Sequence, residues 1–531
     1  MRRWLLYVLL AIAGATQAIS LAWPLDEALR GQANGVLQIL SLAILAACID
    51  RDASAGQALR HTFIFSTAWL LGSFWWLYIS LHEYGGLPSP LAAAAVVLLA
   101  AALSMIYAGC IWAYRRSVAY GAPPIARVAG FAAAWTLAEW IRGNIATGFP
   151  WGAIGYAHVD SVLRLWAPWV GVYGLCVIGA ALAATIGLRH VDNLKTGRPT
   201  RMVLAALSVA AVVMAWHSPA RQVDENMTVI DRDSAAGIRI ALLQGNVPQD
   251  LKFGSQAQQA MLDYQADMLS ISADLIVTPE TAFPYLPEQI PPQFWQPLRE
   301  RKDRAFLMGM PLRAATPRTS AAFTNSVLGY ANGHAADFRY DKHHLVPFGE
   351  FVPPFFQWFV DRMHIPLGDF ATGALPQAPF AWKGERISVN ICFEDLFGEE
   401  LAQSFASPDA APTLLLNVSN LAWFGNTVAL DQHLNIARMR AMELARPMLR
   451  ATNTGATALV NAQGQVIEKL PYNTRAALVV NVRGVQGEPT PYVQWVARWG
   501  TWPLLLFVLA LWGIAAQMSR NSRHGQRRFA S

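Results

Sequence analysis

The chain has 531 residues with a formal net charge of +6, and 54% of them are hydrophobic and 14% charged. Soluble globular proteins carry roughly 25% charged residues, so this composition argues against a soluble enzyme and predicts a surface that faces lipid. The length predicts at least two structural units. The lysines and arginines are spread over short loops instead of one long run, which argues against nucleic-acid binding.

Apolar stretches near the length of about 20 residues that spans a bilayer follow one another from the start of the chain. They cover 4–24, 34–49, 62–81, 88–113, 124–141, 165–188, 202–217 and 501–518. Basic residues occur in alternate loops, as the positive-inside rule requires. The pattern predicts about eight transmembrane helices. Seven lie in 1–217, an outer domain spans 218–500, the eighth helix is 501–518, and 519–531 is a basic cytoplasmic tail.

From about residue 237, short apolar runs alternate with turn signals and with helical periodicity. Strands are predicted at 238–244, 274–277, 305–309, 324–330, 334–340, 387–391, 413–417, 456–460 and 476–482, and helices at 262–271, 399–405 and 432–445. The dipeptide Asn332-Gly333 predicts a hairpin turn. Strands mixed with helices and hairpins predict an α/β sandwich with a mixed sheet. The sequence contains no glycine-rich phosphate-binding motif.

Three residues with complementary chemistry each follow a predicted strand: Glu280, Lys342 and Cys392. Groups just past strand ends converge at one edge of an α/β sheet. A thiol needs a base before it becomes a good nucleophile, and a carboxylate can take its proton and pass it to the leaving group. An ammonium group can stabilise the oxyanion that forms during attack. The pattern therefore predicts acyl transfer through a thioester on Cys392.

Each of these residues also has a structural interpretation. A glutamate after Thr-Pro is often a helix N-terminal acid, a lone loop lysine is often solvated, and a cysteine after a strand is often part of the core. The other cysteines, Cys48, Cys110 and Cys176, lie in apolar stretches and are expected to be small buried hydrophobes. We expect no metal and no cofactor, since the histidines do not cluster with ligand spacing.

Three longer motifs carry these residues: Thr278-Pro-Glu-Thr281, Tyr340-Asp-Lys-His-His-Leu-Val-Pro-Phe-Gly-Glu350 and Asn390-Ile-Cys-Phe-Glu-Asp395. They resemble the signatures of the nitrilase (carbon–nitrogen hydrolase) superfamily. The resemblance implies a nitrilase-like αββα sandwich with a Glu–Lys–Cys triad, which falls on Glu280, Lys342 and Cys392. It also implies that Glu350 orients Lys342 or assists Glu280. Glu394 is expected either beside the site or in a structural ion pair.

A nitrilase-like domain with seven apolar spans before it and one after it resembles the apolipoprotein N-acyltransferase family over nearly the whole chain. The segments 244–249, 417–425, 432–433 and 437–441 resemble that family as well. The resemblance implies a phospholipid acyl donor and a diacylated apolipoprotein as acceptor. It implies ping-pong transfer of the acyl chain through Cys392 to the acceptor's N-terminal amine, the last step of lipoprotein maturation. The location implied is the bacterial inner membrane, with the catalytic domain on the periplasmic side.

The chain departs from that family's pattern at Phe253, Phe393 and Leu421, where Trp, Tyr and Asp are common. Phe253, Phe393 and Trp423 are candidate lipid contacts. After Glu350 comes the apolar segment Phe351-Val-Pro-Pro-Phe-Phe-Gln-Trp-Phe359, which we call the arm. Its side chains Phe355, Phe356 and Trp358 are expected to dip into the membrane interface, and an ordinary buried loop is the alternative.

Two other functions fit the same features less well. A membrane-tethered amidase would share the triad but pass the acyl group to water. A transporter or receptor with an inactive nitrilase-like domain is the other alternative. Transport pathways usually contain more charged residues than these spans do, which hold Glu139, Arg142 and few others.

Overall fold

The computed structural model describes residues 3–25, 27–52, 54–189, 237–252, 257–314, 322–331, 334–353 and 370–528. Contacts between residues divide the chain into two units. The described residues of the helical unit lie within 3–77, 90–189 and 499–528, and those of the catalytic unit lie within 78–89 and 237–498.

The helical unit consists of apolar helices. They are α1 (Arg3–Ile19), α2 (Gly35–Arg51), α3 (Ala55–Phe74), α4 (Ser89–Ser117), α5 (Pro124–Asn144), α6 (Ala167–Arg189) and, late in the chain, α11 (Trp502–Arg528). Side-chain caps begin two of them, since Asn34 accepts from the Leu37 N–H at 3.0 Å and Ser54 accepts from the Gln57 N–H at 3.3 Å. Buried aromatic rings pack between helices: Trp69 stacks on Trp135 with centroids 5.6 Å apart.

The described residues contain fewer candidate membrane spans than the eight that the sequence predicts. Among the described residues, the helices at Ser89–Ser117, Val162–Leu188 and Trp502–His524 are long and apolar enough to cross a bilayer. A fourth candidate is the pair Ala55–Phe74 and Leu77–Tyr84, bent by 61° at a short break, and α1 is apolar but shorter. Eight transmembrane helices are therefore not confirmed, and the predicted span at 202–217 lies outside the described residues.

Buried charged residues lower the mean hydropathy of α5, and this helix is therefore not among the candidate spans. Arg127 pairs with Asp50 of α2 at 2.7 Å, and Arg142 pairs with Glu139 at 2.7 Å. Arg142 also donates to the main-chain oxygens of Phe149 and Trp151, at 2.5 and 2.6 Å. Side chains that lower the hydropathy of α5 are thus satisfied inside the unit.

Two six-stranded mixed sheets form the catalytic unit. The strands are β1 (Ile238–Gln244), β2 (Leu275–Val277), β3 (Ala305–Arg313), β4 (Phe323–Ala331), β5 (His334–Asp341), β6 (Phe380–Trp382), β7 (Glu385–Ile391), β8 (Leu414–Ser419), β9 (Met448–Thr452), β10 (Ala458–Val460), β11 (Val466–Lys469) and β12 (Ala476–Val482). One sheet has the order β12-β1-β2-β3-β4-β5 and the other β11-β10-β9-β8-β7-β6. The predicted β4–β5 hairpin is confirmed, with antiparallel pairing.

Helices cover the outer faces of the two sheets. They are α7 (Ala257–Ser270), α8 (Pro292–Glu300), α9 (Val428–Leu444) and α10 (Pro491–Trp499). Alternate residues of β1 serve two cores: Ile240 and Leu242 pack between the sheets, whereas Ala241 and Leu243 pack with α7 and α8. On the other sheet, β8, β9 and β10 pack against α9 and α10. This layering is the nitrilase-like αββα sandwich that the motifs predicted.

Candidate active site

The strand directions bring the ends of several strands to one edge of each sheet. β2 and β3 run parallel, and β4 is antiparallel to both β3 and β5, so β5 has the direction of β2. Glu280 and Lys342 therefore follow strands that end at the same edge. In the second sheet β7, β8 and β9 are parallel, which puts Cys392 and Asn420 at one edge.

A tight turn after β2 carries Glu280. The next residue, Thr281, has a φ of 49°, in the left-handed region that non-glycine residues rarely adopt. Gly309 on β3 makes the turn possible, because a Cβ there would lie 2.2 Å from the Pro279 oxygen and 2.9 Å from the Glu280 Cα. Any larger residue at position 309 would push Glu280 out of place.

Lys342 joins two carboxylates in a buried cluster. Its Nζ donates to Glu280 Oε1 at 3.2 Å and to Glu350 Oε1 at 2.9 Å, and the lysine is 1% exposed. The amide of Asn325 donates to the same two carboxylates, at 2.8 and 2.7 Å. The Val346 N–H donates to Glu350 Oε2 at 2.8 Å. Lys342 is thus held by Glu280 and Glu350 together.

Cys392 begins a 3-10 turn directly after β7, in the left-handed region with a φ of 54°. Its main-chain oxygen accepts from Asn417 Nδ2 at 3.2 Å and lies 3.3 Å from His433 Nε2. The Asn420 N–H donates to Glu280 Oε2 at 2.8 Å and also faces the Cys392 sulfur, whose charged form it favours. The same backbone N–H therefore lies near both the carboxylate and the thiol.

The electrostatics of the site favour a neutral thiol beside an ionised glutamate. Burial opposes ionisation of Glu280, but the Lys342 and Lys252 ammonium groups outweigh it and hold its pKa below the ordinary value. Burial, and then the Glu280 carboxylate, raise the pKa of the Cys392 thiol well above its usual range. Burial also opposes the charge of Lys342, yet Glu280 and Glu350 raise the pKa of that ammonium. Cys392 can then lose its proton to Glu280 as the sulfur attacks.

A chain of buried side chains supports the peptide of Cys392 from behind. His433 Nδ1 accepts from Arg450 Nη2 at 2.6 Å, and Arg450 Nη1 donates to Asp395 Oδ2 at 2.8 Å. Burial, reinforced by Arg450, lowers the pKa of His433 well below its ordinary value. The neutral imidazole therefore donates from Nε2 to the Cys392 oxygen, which fixes the strained turn.

Glu394 anchors the loop that carries Lys342. Its carboxylate accepts from the His343 N–H at 2.7 Å, the Ile391 N–H at 2.6 Å and the Tyr340 hydroxyl at 2.9 Å. These partners are backbone amides and a phenol, so the structural ion pair considered from the sequence is not what holds Glu394. The residue ties the end of β5 to the turn after β7.

The candidate lipid contacts that the structure describes differ in how deeply they are buried. Phe393 is 5% exposed and packs against His344 and Phe397, with ring centroids 5.7 and 5.4 Å away. Trp423 is half-buried and meets Tyr84 edge to face at 5.7 Å. Phe253, Phe355, Phe356 and Trp358 lie outside the described residues.

Three residues of the cluster were not predicted from the sequence: Lys252, Asn325 and Asn420. Lys252 is 5% exposed, and its Nζ donates to the main-chain oxygen of Glu280 at 2.9 Å. Asn325 could have been noticed in the sequence, because it is a polar residue within the buried strand β4. Asn420 acts through its main-chain N–H, for which a sequence has no signature.

Comparison with known proteins assigns the family. Residues 18–185 match the model of the apolipoprotein N-acyltransferase N-terminal domain, and residues 239–492 match that of carbon-nitrogen hydrolase. An apolipoprotein N-acyltransferase of Verminephrobacter eiseniae is 45% identical, over 96% of this chain and 97% of that protein. One of Bordetella bronchiseptica is 40% identical, over 98% of each. A solved amidase of Nesterenkonia sp. AN1 is 21% identical, over 50% of this chain and 95% of that one, with a TM-score of 0.34. The protein belongs to the apolipoprotein N-acyltransferase family.

Proposed function

We propose that this enzyme transfers an acyl chain from a phospholipid to the N-terminal amine of a diacylglyceryl-cysteine lipoprotein, through a thioester on Cys392. The names of its relatives support the lipoprotein acceptor. The apolar helices support lipid substrates, because each buried CH₂ of an acyl chain contributes about 0.8 kcal/mol and keeps such molecules in the bilayer.

The observation that carries the proposal is the Asn420 N–H, which donates to Glu280 and faces the Cys392 sulfur. With Lys342 on the other oxygen of Glu280, a carboxylate, a partly exposed thiol and an ammonium group share one cluster. These are the three parts that acyl transfer through a cysteine needs.

In the first step the Cys392 sulfur attacks the ester carbon of the phospholipid while its proton moves to Glu280. Negative charge develops on the former carbonyl oxygen, and the Lys342 ammonium stabilises it. The carbon–oxygen bond to glycerol then breaks, Glu280 returns the proton to the leaving oxygen, and lysophospholipid departs. Cys392 keeps the acyl group as a thioester.

In the second step the α-amine of the acceptor attacks the thioester carbon. The amine loses a proton to Glu280 as the carbon–nitrogen bond forms, and Lys342 again faces the oxyanion. The carbon–sulfur bond breaks, and Glu280 gives the proton to the sulfur of Cys392. The enzyme returns to its starting state and the acceptor carries an amide.

For the location we propose the bacterial inner membrane with the catalytic domain, residues 218–500, on the periplasmic side. Charge alternation between the apolar stretches supports this orientation. Residues 1–217 and 501–518 would form the membrane part, and 519–531 a basic cytoplasmic tail. Phe253, Phe393 and Trp423 are proposed contacts of the acyl chains.

The test uses the purified protein in phospholipid vesicles with a peptide that begins with diacylglyceryl-cysteine. We expect the peptide to gain one acyl group in an amide bond, together with one lysophospholipid per transfer, as mass spectrometry would measure. Cys392→Ser should give no product, whereas Cys110→Ser should act like the wild type, since that cysteine lies in α4.

An N-acetylated peptide, which lacks the amine, is the substrate control and should stay unmodified. Free fatty acid as the product, with an unmodified peptide, would contradict the transfer and favour a hydrolase that passes the acyl group to water.

A further inference from the structure

Lys252 is a buried lysine that the triad does not use. It follows β1, is 5% exposed, and its Nζ donates to the main-chain oxygen of Glu280 at 2.9 Å. Burying an ammonium group is unfavourable unless nearby partners compensate its charge. The carboxylates of the site are the compensating charges, so Lys252 belongs electrostatically to the catalytic cluster.

Amide groups fix the loop that carries Lys252 to the sheet of the nucleophile. The Val247 N–H donates to Asn453 Oδ1 at 2.9 Å, and Asn420 Nδ2 donates to Gln249 Oε1 at 2.7 Å. Asn453 Nδ2 also donates to Asn420 Oδ1 at 3.0 Å. The Asn420 N–H donates to Glu280, so the position of Lys252 is coupled to the centre of the site.

The charges that face Cys392 show what Lys252 adds. Two carboxylates, Glu280 and Glu350, disfavour a negative sulfur, and Lys342 offsets only one of them. Lys252 interacts with both Glu280 and Cys392. Arg450 also faces the sulfur, but Asp395 pairs with it at 2.8 Å, and His433 is neutral.

With Lys252 charged, two ammonium groups balance two carboxylates before the reaction begins. Without it, the sulfur and the substrate oxygen would have to become negative inside a cluster that already carries a negative charge. At low local dielectric such a change is costly.

We propose that Lys252 is a positioning residue of the catalytic centre, which holds Glu280 by its main-chain oxygen and supplies the second positive charge that favours thiolate formation. The inference rests on the proposed function for the identity of the nucleophile. Burial lowers the pKa of Lys252 to about 8, against the opposing effect of Glu280. The second charge is therefore present at neutral pH and lost as the pH rises above that value.

The experiment measures alkylation of Cys392 by iodoacetamide between pH 6 and 10, without any lipid substrate. Wild type is compared with Lys252→Met, Lys252→Arg and Lys302→Met, an exposed lysine of the same domain. Mass spectrometry of the peptide that contains residue 392 gives the rate at this one cysteine, and Cys392→Ser gives the blank.

At pH 7 we expect Lys252→Met to alkylate about tenfold more slowly than wild type, the change in thiolate fraction that one pKa unit gives. Lys252→Arg should match wild type at pH 7 and exceed it above pH 8, because a guanidinium group stays charged. Lys302→Met should follow wild type throughout.

Equal alkylation of wild type and Lys252→Met over the whole pH range would overturn the proposal. If Lys252→Met does not fold, a constant ratio between Lys252→Arg and wild type through pH 8 would overturn it. Acyl transfer by the wild type is measured separately, so failure of the proposed function and failure of the role of Lys252 give different results.

Discussion

Glu350 and Glu280 hold the ammonium group of Lys342 between two carboxylates. The two carboxylate oxygens of Glu350 accept hydrogen bonds from Lys342, Asn325 and the Val346 N–H. The same lysine would have several rotamers if Glu280 were its only anchor. We therefore expect Glu350 to act in catalysis through Lys342.

Glu350→Gln should slow formation of the acyl-enzyme about tenfold, because a glutamine can still accept from Lys342 but places a donor against Asn325 or Val346. Glu280→Gln removes the base and should cost about 10²-fold or more. Single-turnover mass spectrometry with excess enzyme measures both rates. The matched control is Glu288→Gln, an exposed glutamate of the same domain paired with Arg313. A larger loss for Glu350→Gln than for Glu280→Gln would contradict these roles.

The sequence predicted the side chains of the site that have a chemical signature. Glu280, Lys342 and Cys392 stand at strand ends within longer motifs, and the structure brings Glu280 and Lys342 into direct contact. Asn325 and Asn420 could not be predicted in this way. Their roles depend on which strands are neighbours, and that information is spread over the whole domain.

Among the secondary-structure elements, strands with continuous apolar runs were predicted, whereas the short edge strands and β9, a buried strand that contains Arg450, were not. β1, β7 and β12 lie within a few residues of their predicted limits. β6 and β11, of three and four residues, lie at the two edges of one sheet and have partly exposed side chains. A strand exposed on one edge and one face lacks the continuous apolar run that marks a buried strand.

The ion pair within α5 has a measurable consequence. Glu139 and Arg142 are both fully buried, so Glu139→Gln leaves the guanidinium charge without its carboxylate. Breaking a buried pair in this way costs about 3–5 kcal/mol. We expect a clear fall in the thermal unfolding midpoint in detergent, and no change for Glu27→Gln, an exposed glutamate before α2. Equal midpoints for the two variants would show that the pair does not stabilise the helical unit.

The arm, residues 351–359, stays a prediction from sequence. Replacing Phe355, Phe356 and Trp358 by Ser should slow acyl transfer from phospholipid vesicles several-fold, since aromatic side chains favour the membrane interface. Transfer from a water-soluble short-chain ester should be unaffected. Leu262→Ser, an exposed apolar residue of α7, serves as the matched control. Unchanged turnover of the triple variant in bilayers would reject the arm.

At the scale of the whole molecule, composition and charge alternation indicated a membrane part and a separate catalytic domain. The structure adds residues 78–89 to the catalytic unit, where the sequence had predicted the end of a continuous span. There the Ser80 hydroxyl donates to the Trp423 oxygen at 2.6 Å, and Tyr84 packs on the Trp423 ring. Contacts between residues so distant in sequence leave no local pattern from which the division could be predicted.

Intact-mass spectrometry after incubation with phospholipid shows whether Cys392 carries the acyl chain. We predict a mass increase of one acyl group that hydroxylamine reverses, that Cys110→Ser retains and that Cys392→Ser abolishes. No mass increase in active wild-type protein, or an increase that persists in Cys392→Ser, would rule out a thioester on Cys392.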